Sequence, residues 1–218
     1  MALRTKIAWA TLGFAVSLFG AGLSASAQDA PSGKQLYLTR TCVACHGKDA
    51  SKAIQAYPNL AGLDANYLLA QMKDITAGKR VSGPDARGYP RTQAMKDVMV
   101  VVTEDELKII AAWLATLPPP PIKPGDAALA AQGEALYGKS GCVACHGPKG
   151  LKPNPAMGAP LIAGQKKEYL ALQLKEIRDG IRTNGKTKLM VTTAKKLGDS
   201  DIDALAEFLS QVERVAAK

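Results

Sequence analysis

The sequence predicts an all-α fold made of two similar domains in tandem. Three observations support this prediction. Residues 33–117 and 133–211 match each other in the same order, apolar residues in both copies recur at helical spacing, and four consecutive prolines lie between the copies. No stretch shows a convincing strand pattern. A chain of 218 residues is long enough for two small domains.

Each copy is predicted to contain three main helices at matching positions. Their expected places are 33–40, 64–77 and a helix capped by Thr103 in the first copy, and 131–140, 166–179 and a helix starting at Asp199 in the second. Thr103 suits a cap because Glu106 stands where a capping box needs it. Gly33 and Gly133 are expected to let the first and last helices cross closely, although a glycine near a helix start is often only a cap.

A proline-rich linker is predicted between the copies. Pro118–Pro121 are consecutive prolines, which favour a stiff extended connection over a helix. We therefore expect a first domain at residues 28–117, a linker at 118–126 and a second domain at 127–218.

The first 27 residues have the pattern of a secretory signal peptide. Arg4 and Lys6 precede the apolar run Ile7–Leu23, and small residues up to Ala27 form a cleavage site. The run is shorter than the roughly 20 residues that span a bilayer. We expect export to the periplasm with cleavage after Ala27. A retained anchor is the alternative, and membrane association is otherwise expected only through partners.

The chain is basic, with a formal net charge of +9 that falls to +7 when Arg4 and Lys6 leave with the signal peptide. A positive surface favours an acidic protein partner, although it also simply keeps a protein in solution. Nucleic acid is not expected as a partner, because the protein is exported and lacks the interleaved arginines and aromatics of such binders.

All four cysteines and both histidines lie in two copies of one hexapeptide, CVACHG, at residues 42–47 and 142–147. A C-x-x-C pair occurs in zinc sites, redox disulfides and heme attachment sites. A thioredoxin-like disulfide needs a βαβ context, whereas these segments are helical. Zinc sites usually leave more residues between the second cysteine and the histidine. C-x-x-C-H is the pattern of c-type heme.

The spacing of the hexapeptide suits covalent heme. Two thiols three positions apart lie on one side of a helical turn, where they can bond to the two vinyl groups of the porphyrin, and the adjacent histidine can reach the iron. The predicted sites are Cys42, Cys45 and His46 in the first copy, and Cys142, Cys145 and His146 in the second.

The sixth iron ligand is predicted to be methionine, because the chain has no third histidine and no spare cysteine. The repeat distinguishes among the methionines that follow the motifs. Met95 matches Met190, and both precede the last helix by a short loop, where a ligand can be presented to the open face. Met72 matches a leucine and is expected in the core, and Met157 has no partner. Met99 remains an alternative to Met95.

At these residues the sequence resembles the diheme class I cytochromes c, and among them the cytochrome c4 family. The resemblance covers about residues 30–213. It rests on the doubled CVACHG, on PNLAG and PLIAG, on a YLxxQ helix with a trailing arginine, and on a methionine before each final helix. It implies two tandem class I cytochrome c domains with two covalently bound heme c groups.

The resemblance also implies roles for residues outside the motifs. The carbonyls of Pro58 and Pro160 would accept a hydrogen bond from each heme histidine. The resemblance also places six residues near the hemes and their propionates: Tyr67, Gln71, Arg80, Tyr169, Gln173 and Arg182. The alternative for these is helix packing by the tyrosines and solvation of the arginines. One departure is a longer loop, Val81–Thr92, before Met95.

His/Met ligation leaves no open iron position, so we expect an electron carrier and not an enzyme, with no catalytic residue. It would accept electrons from a quinol-oxidising complex or a dehydrogenase and pass them to a terminal oxidase. One alternative is the cytochrome subunit of a periplasmic oxidoreductase such as a sulfide-oxidising flavoprotein. Another is a diheme enzyme with an open heme, such as a peroxidase or a thiosulfate dehydrogenase.

Overall fold

The computed structural model describes residues 30–214, so the predicted signal peptide at residues 1–27 lies outside the described residues. Within this range the chain is helical, and the β pairing there is one isolated bridge between Pro84 and Pro90. The all-α prediction is confirmed. In chain order the helices are α1 (Gly33–Thr39), α2 (Val43–His46), α3 (Ala65–Thr76), α4 (Gln93–Met99), α5 (Glu104–Thr116), α6 (Ala127–Lys139), α7 (Val143–His146), α8 (Lys167–Arg178), α9 (Lys188–Ala194) and α10 (Asp199–Ser210).

The helices form two matching sets of five, α1–α5 and α6–α10. The predicted capping box is present, since the Glu106 amide donates to Thr103 Oγ1 at 3.3 Å and the Thr103 amide donates to Glu106 Oε2 at 2.9 Å. Helix α10 begins at Asp199, as expected. Helix α6 begins at Ala127, four residues before the predicted start, because the Asp126 carboxylate caps it and accepts two of its first amides.

Two glycines allow the first and last main helices of each half to touch, as the sequence suggested. A Cβ atom on Gly33 of α1 would lie 2.3 Å from the Trp113 Cβ of α5. A Cβ on Gly133 of α6 would lie 2.0 Å from the Ala204 carbonyl oxygen of α10. Neither position leaves room for a side chain, so the close crossing requires glycine.

Each half has its own apolar core. Leu36, Leu68 and Ile110 are buried in the first, and Met72 packs in this core as predicted. The second half has an equivalent cluster around Leu205. Among the described residues, no helix has both the length and the apolar character needed to cross a membrane.

The two halves are joined by polar contacts as well as by the linker. The Gln165 side chain pairs with the Asn59 backbone, accepting its amide at 2.9 Å and donating to its carbonyl at 2.8 Å. Arg214 donates to the Ala61 carbonyl at 3.1 Å, and burial lowers the pKa of its guanidinium to about 10. Residues 31–214 therefore form one compact body.

Candidate functional site

Each CVACHG motif forms a single helical turn, α2 or α7, that begins after the first cysteine and ends at the histidine. The following Gly47 and Gly147 adopt left-handed φ values of 80° and 70°. A Cβ on Gly147 would lie 2.1 Å from the Lys152 carbonyl oxygen. The glycine is therefore needed because the chain turns sharply after each histidine and runs close to its own backbone.

Both histidines are oriented by a proline carbonyl. His46 Nδ1 lies 2.9 Å from the Pro58 oxygen, and His146 Nδ1 lies 2.9 Å from the Pro160 oxygen. A carbonyl can only accept, so Nδ1 carries the hydrogen and Nε2 presents its lone pair. Burial lowers the pKa of both imidazoles, against the opposing effect of the carbonyl. A neutral imidazole with a free Nε2 is the form that binds iron.

The predicted methionines line the same cavity as the histidines. This cavity is walled mainly by apolar side chains and contacts Met95 and His46 in the first half and Met190 and His146 in the second. The short-loop prediction for the methionines was wrong, because Met95 lies in α4 and Met190 in α9. The alternative Met99 is buried in the core and also reaches the cavity.

The arginines that follow the YLxxQ helices are buried, so the solvated alternative was wrong. Arg80 Nη2 donates to Tyr169 Oη at 2.8 Å, in the other half of the molecule. Arg182 Nη2 donates to Gln71 Oε1 at 3.0 Å, again across the halves, and lies 3.5 Å from Tyr67 Oη. The residues that the resemblance grouped together thus form one network between the halves, beside the cavity.

Within residues 30–214, neither arginine of this network bonds a carboxylate directly, and Glu176 and Asp74 bond the amides of Gln173 and Asn184 instead. Every side chain that accepts a hydrogen bond from Arg80 or Arg182 within residues 30–214 is a neutral amide or phenol. A buried cation is stable when an anion accompanies it. An anionic group entering the cavity, such as a heme carboxylate, would supply that charge.

The site therefore fits heme in four respects: its walls are mainly apolar, Cys42, Cys45 and Cys145 line it, each half offers an imidazole and a thioether, and two buried arginines line it as well. The described residues fit a zinc site less well. Within residues 30–214, no three His, Cys, Asp or Glu side chains form a group that could hold a metal ion.

Comparisons with known proteins agree with this geometry. The family profile described as cytochrome c matches residues 30–118 and 130–213, one match for each half. The chain belongs to the cytochrome c family.

Individual relatives show which members of the family this chain is similar to. This cytochrome is 35% identical to cytochrome c4 of Azotobacter vinelandii over 196 residues, covering 86% of this chain and 91% of the relative. It is 33% identical to the thiosulfate dehydrogenase electron acceptor of Stutzerimonas stutzeri, covering 95% and 96% of the two chains. The crystal structure of reduced recombinant cytochrome c4 from Pseudomonas stutzeri superposes with a TM-score of 0.70 at 34% identity, covering 83% of this chain and 97% of that one.

Two consequences follow for this cytochrome. With two tandem domains and a motif in each, it carries two covalently bound heme c groups. It is a diheme electron carrier similar to cytochrome c4. The match to the solved structure also confirms the fold of two cytochrome c domains.

Several residues of the site were not predicted from the sequence. Tyr37 Oη donates to the Gly47 carbonyl at 2.6 Å, and Tyr137 Oη donates to the Gly147 carbonyl at 2.8 Å, which secures each motif turn. Their equal distance of five residues before the first cysteine was the available signal. Glu176, whose side chain is only 3% exposed, was also missed, and its signal was the acidic residue Asp74 at the same position of the repeat.

Proposed function

We propose that this protein is an exported, soluble electron carrier whose two hemes are each ligated by one histidine and one methionine. The proposal is supported by a shared cavity to which each half brings its motif histidine and, at matching positions of the repeat, Met95 or Met190. Bound heme iron exchanges one electron and changes its oxidation state. The cysteine pairs Cys42/Cys45 and Cys142/Cys145 would hold the porphyrins. The iron ligands would be His46, Met95, His146 and Met190.

The protein's own residues would keep the irons closed. Pro58 and Pro160 hold the imidazoles through their carbonyls, and apolar side chains such as Leu68 keep water out of the cavity. If Met95 and Met190 supply the remaining iron ligands, no site would be left there for substrate or oxygen. We therefore propose that the chain has no active site of its own.

We assign the propionate contacts to the network between the halves. Arg80 and Arg182 supply buried positive charge, and Tyr67 and Tyr169 supply hydroxyl groups. Because these residues come from both halves, they would also keep the two hemes close to one another.

The electron donor is proposed to be a quinol-oxidising complex or a dehydrogenase, and the acceptor a terminal oxidase, all facing the periplasm. The signal-peptide pattern of residues 1–27 supports this compartment. A second candidate donor is a thiosulfate dehydrogenase, because one relative is named as the electron acceptor of that enzyme. In both cases this chain relays electrons and the substrate chemistry takes place on another protein.

An acidic docking face on the partner is supported by the surface of the second half. Lys188, Lys195 and Lys196 are exposed at the start and end of α9, the helix that carries Met190. Their counterparts in the first half are uncharged, and two of them, Val100 and Val101, are 78% and 64% exposed. The second half is thus the one suited to an acidic partner.

Stopped-flow mixing tests this function. The reduced holoprotein is mixed with native membranes that contain the terminal oxidases, and in a second series the oxidised protein is mixed with a thiosulfate dehydrogenase and thiosulfate. Fast turnover in the first series supports the respiratory carrier. Fast reduction in the second series combined with slow oxidation by membranes would favour the dedicated acceptor instead.

A separate variant tests whether the exposed lysines beside α9 form the docking face. Replacing Lys195 and Lys196 with glutamine should slow the faster reaction about tenfold at low ionic strength and weaken its salt dependence. Replacing Lys34 and Lys52, two exposed lysines of the first half, is the control for charge alone. Equal slowing by both pairs would mean that net charge, not this face, directs docking.

A further inference from the structure

The structure holds the methionine-bearing segment of each half against an acidic residue of the other half. Asp74 of α3 and Glu176 of α8 occupy the same position of the repeat, six residues before Arg80 and Arg182. Neither residue belongs to a heme motif. Both lie on the side of their helix that faces the other half.

Glu176 holds the segment that leads into α4. Its Oε1 atom accepts the Gly83 amide at 2.8 Å and the Arg91 guanidinium at 2.7 Å. Its other oxygen accepts from Gln173 at 2.8 Å. The side chain of Glu176 is only 3% exposed, so these bonds are shielded from water. Met95 follows Arg91 by four residues.

The loop held by Glu176 is the one that is longer in the first half. Fourteen residues, 81–94, separate Arg80 from Met95, whereas seven, 183–189, separate Arg182 from Met190. The loop is closed at its base, where the Thr92 amide donates to Ser82 Oγ at 2.8 Å. Within residues 30–214, the hydrogen bonds from this loop to the other half go to the Glu176 carboxylate, so that carboxylate helps to set where the segment before α4 lies.

Asp74 makes the reciprocal contact. Its Oδ2 atom accepts from the Asn184 side chain at 2.6 Å, and Asn184 begins the segment that leads through Gly185–Thr187 into α9 and Met190. Asn184 is itself buried. Asp74 accepts one bond from the other half, whereas Glu176 accepts two, so we expect Asp74 to hold its segment less firmly, with Asn184 also donating to Gln71 at 3.3 Å.

We propose that Glu176 and Asp74 are positioning residues that act crosswise: Glu176 of the second half keeps Met95 on the first iron, and Asp74 of the first half keeps Met190 on the second. This inference rests on the proposed axial methionines. Its consequence is that each iron stays closed only while the halves are docked. A partner that loosened the interface would therefore change both hemes.

The test uses the reduced holoprotein and carbon monoxide, which binds iron when the methionine leaves. The shifted methyl proton signals of the two axial methionines in the NMR spectrum of the reduced protein report each site separately, after assignment with single methionine variants. Glu176→Gln should raise the carbon monoxide affinity of the first heme about tenfold, equivalent to about 1.4 kcal/mol, and shift only the Met95 methyl signal. Asp74→Asn should act on the second heme in the same direction but more weakly.

Two controls separate this effect from general damage. Glu168→Gln makes the same change of charge on α8 at an exposed position and should leave both hemes unchanged. Arg91→Gln removes the guanidinium that bonds Glu176 and should also raise the carbon monoxide affinity of the first heme. This second variant keeps the test usable if Glu176→Gln fails to fold.

The outcomes are distinct. If the wild-type protein already binds carbon monoxide freely, the proposed methionine ligation fails. If the wild type is closed but Glu176→Gln alters only the second heme, or neither heme, the crosswise inference is overturned while the proposed function stands.

Discussion

At the scale of single residues, the repeat carries most of the information about the heme sites. One methionine in a chain is usually core, whereas Met95 and Met190 occupy the same repeat position and line one cavity with the two histidines. Met99 has Ala194 as its counterpart in the repeat, and both residues lie on the buried face of their helices, α4 and α9. This difference favours Met95 over Met99 as the ligand.

Replacing methionines one at a time tests that choice. Met95→Ala should remove the long-wavelength sulfur-to-iron band of one heme and open that iron, and Met190→Ala should do so at the other heme. Met99→Ala should leave both bands in place and instead lower the free energy of unfolding by about 3 kcal/mol, because it empties a buried core position. Absorption spectra and denaturant unfolding of the holoproteins provide both measurements. Loss of a band in Met99→Ala with retention in Met95→Ala would reverse the assignment.

At the scale of helices, the close contact between α6 and α10 depends on one missing side chain. Gly133→Ala would force a methyl group against the Ala204 carbonyl oxygen, so we expect a loss of about 3 kcal/mol in unfolding free energy. Gly138→Ala, on the same helix, is the matched control. A Cβ there meets nothing within 4 Å, and the change should be neutral or stabilising by about 0.5 kcal/mol. Equal effects in thermal unfolding would show that helix propensity, not the crossing, decides the cost.

Glu207 joins the start of α6 to α10 and makes the stability dependent on pH. It accepts from Lys167 and, at 2.8 Å, from the Asp126 amide, and the Lys167 contact is the main reason that the pKa of its carboxyl is lowered. A lowered folded-state pKa means that the stabilisation is present above the unfolded value and is lost as the pH falls through the folded value.

The corresponding variant is Glu207→Gln, which we expect to be less stable than wild type by about 2 kcal/mol at pH 7. The difference should shrink as the pH falls below about 4. Glu134→Gln removes an exposed partner of Lys149 and should cost less than about 0.5 kcal/mol at any pH. A gap between wild type and Glu207→Gln that persists at low pH would mean that shape, not charge, matters at this position.

Helix-scale features were the most predictable part of the fold. The long helices have apolar faces with a regular period, and local signals such as the Thr103 capping box mark their ends. The helices that carry Met95 and Met190 have seven residues each, which is too few for a periodic pattern to emerge, so they were expected as loops. The predicted start of α6 was too late because Asp126, the residue that caps the helix, is the last residue of the predicted proline-rich linker.

At the scale of the whole molecule, the contacts between the halves lay beyond the reach of the sequence. Glu176 meets Arg91 across 85 residues, and Gln165 meets Asn59 across 106. Such pairs leave no local pattern, because they depend on how two folded halves dock. The resemblance to cytochrome c4 did group the tyrosines, glutamines and arginines of the interface, but it did not indicate that Arg80 reaches Tyr169 rather than solvent.

The two halves form one body because side chains bond directly between them. Arg80 and Arg182 place buried positive charge between the two motif-bearing halves. The exposed lysines beside α9 distinguish one half from the other for a partner. These features support the proposed function, in which a diheme carrier uses its second half to meet an acidic partner.

The central claim is that both irons are closed by methionine, and one experiment tests it most directly. Absorption spectra of the purified holoprotein from an exporting host are recorded oxidised, reduced, and reduced with carbon monoxide. We predict a low-spin spectrum for two c-type hemes, a long-wavelength methionine band in the oxidised form, and no response to carbon monoxide. A clear carbon monoxide shift would contradict the claim, because it would reveal an open iron, and the diheme-enzyme alternative would then replace the carrier.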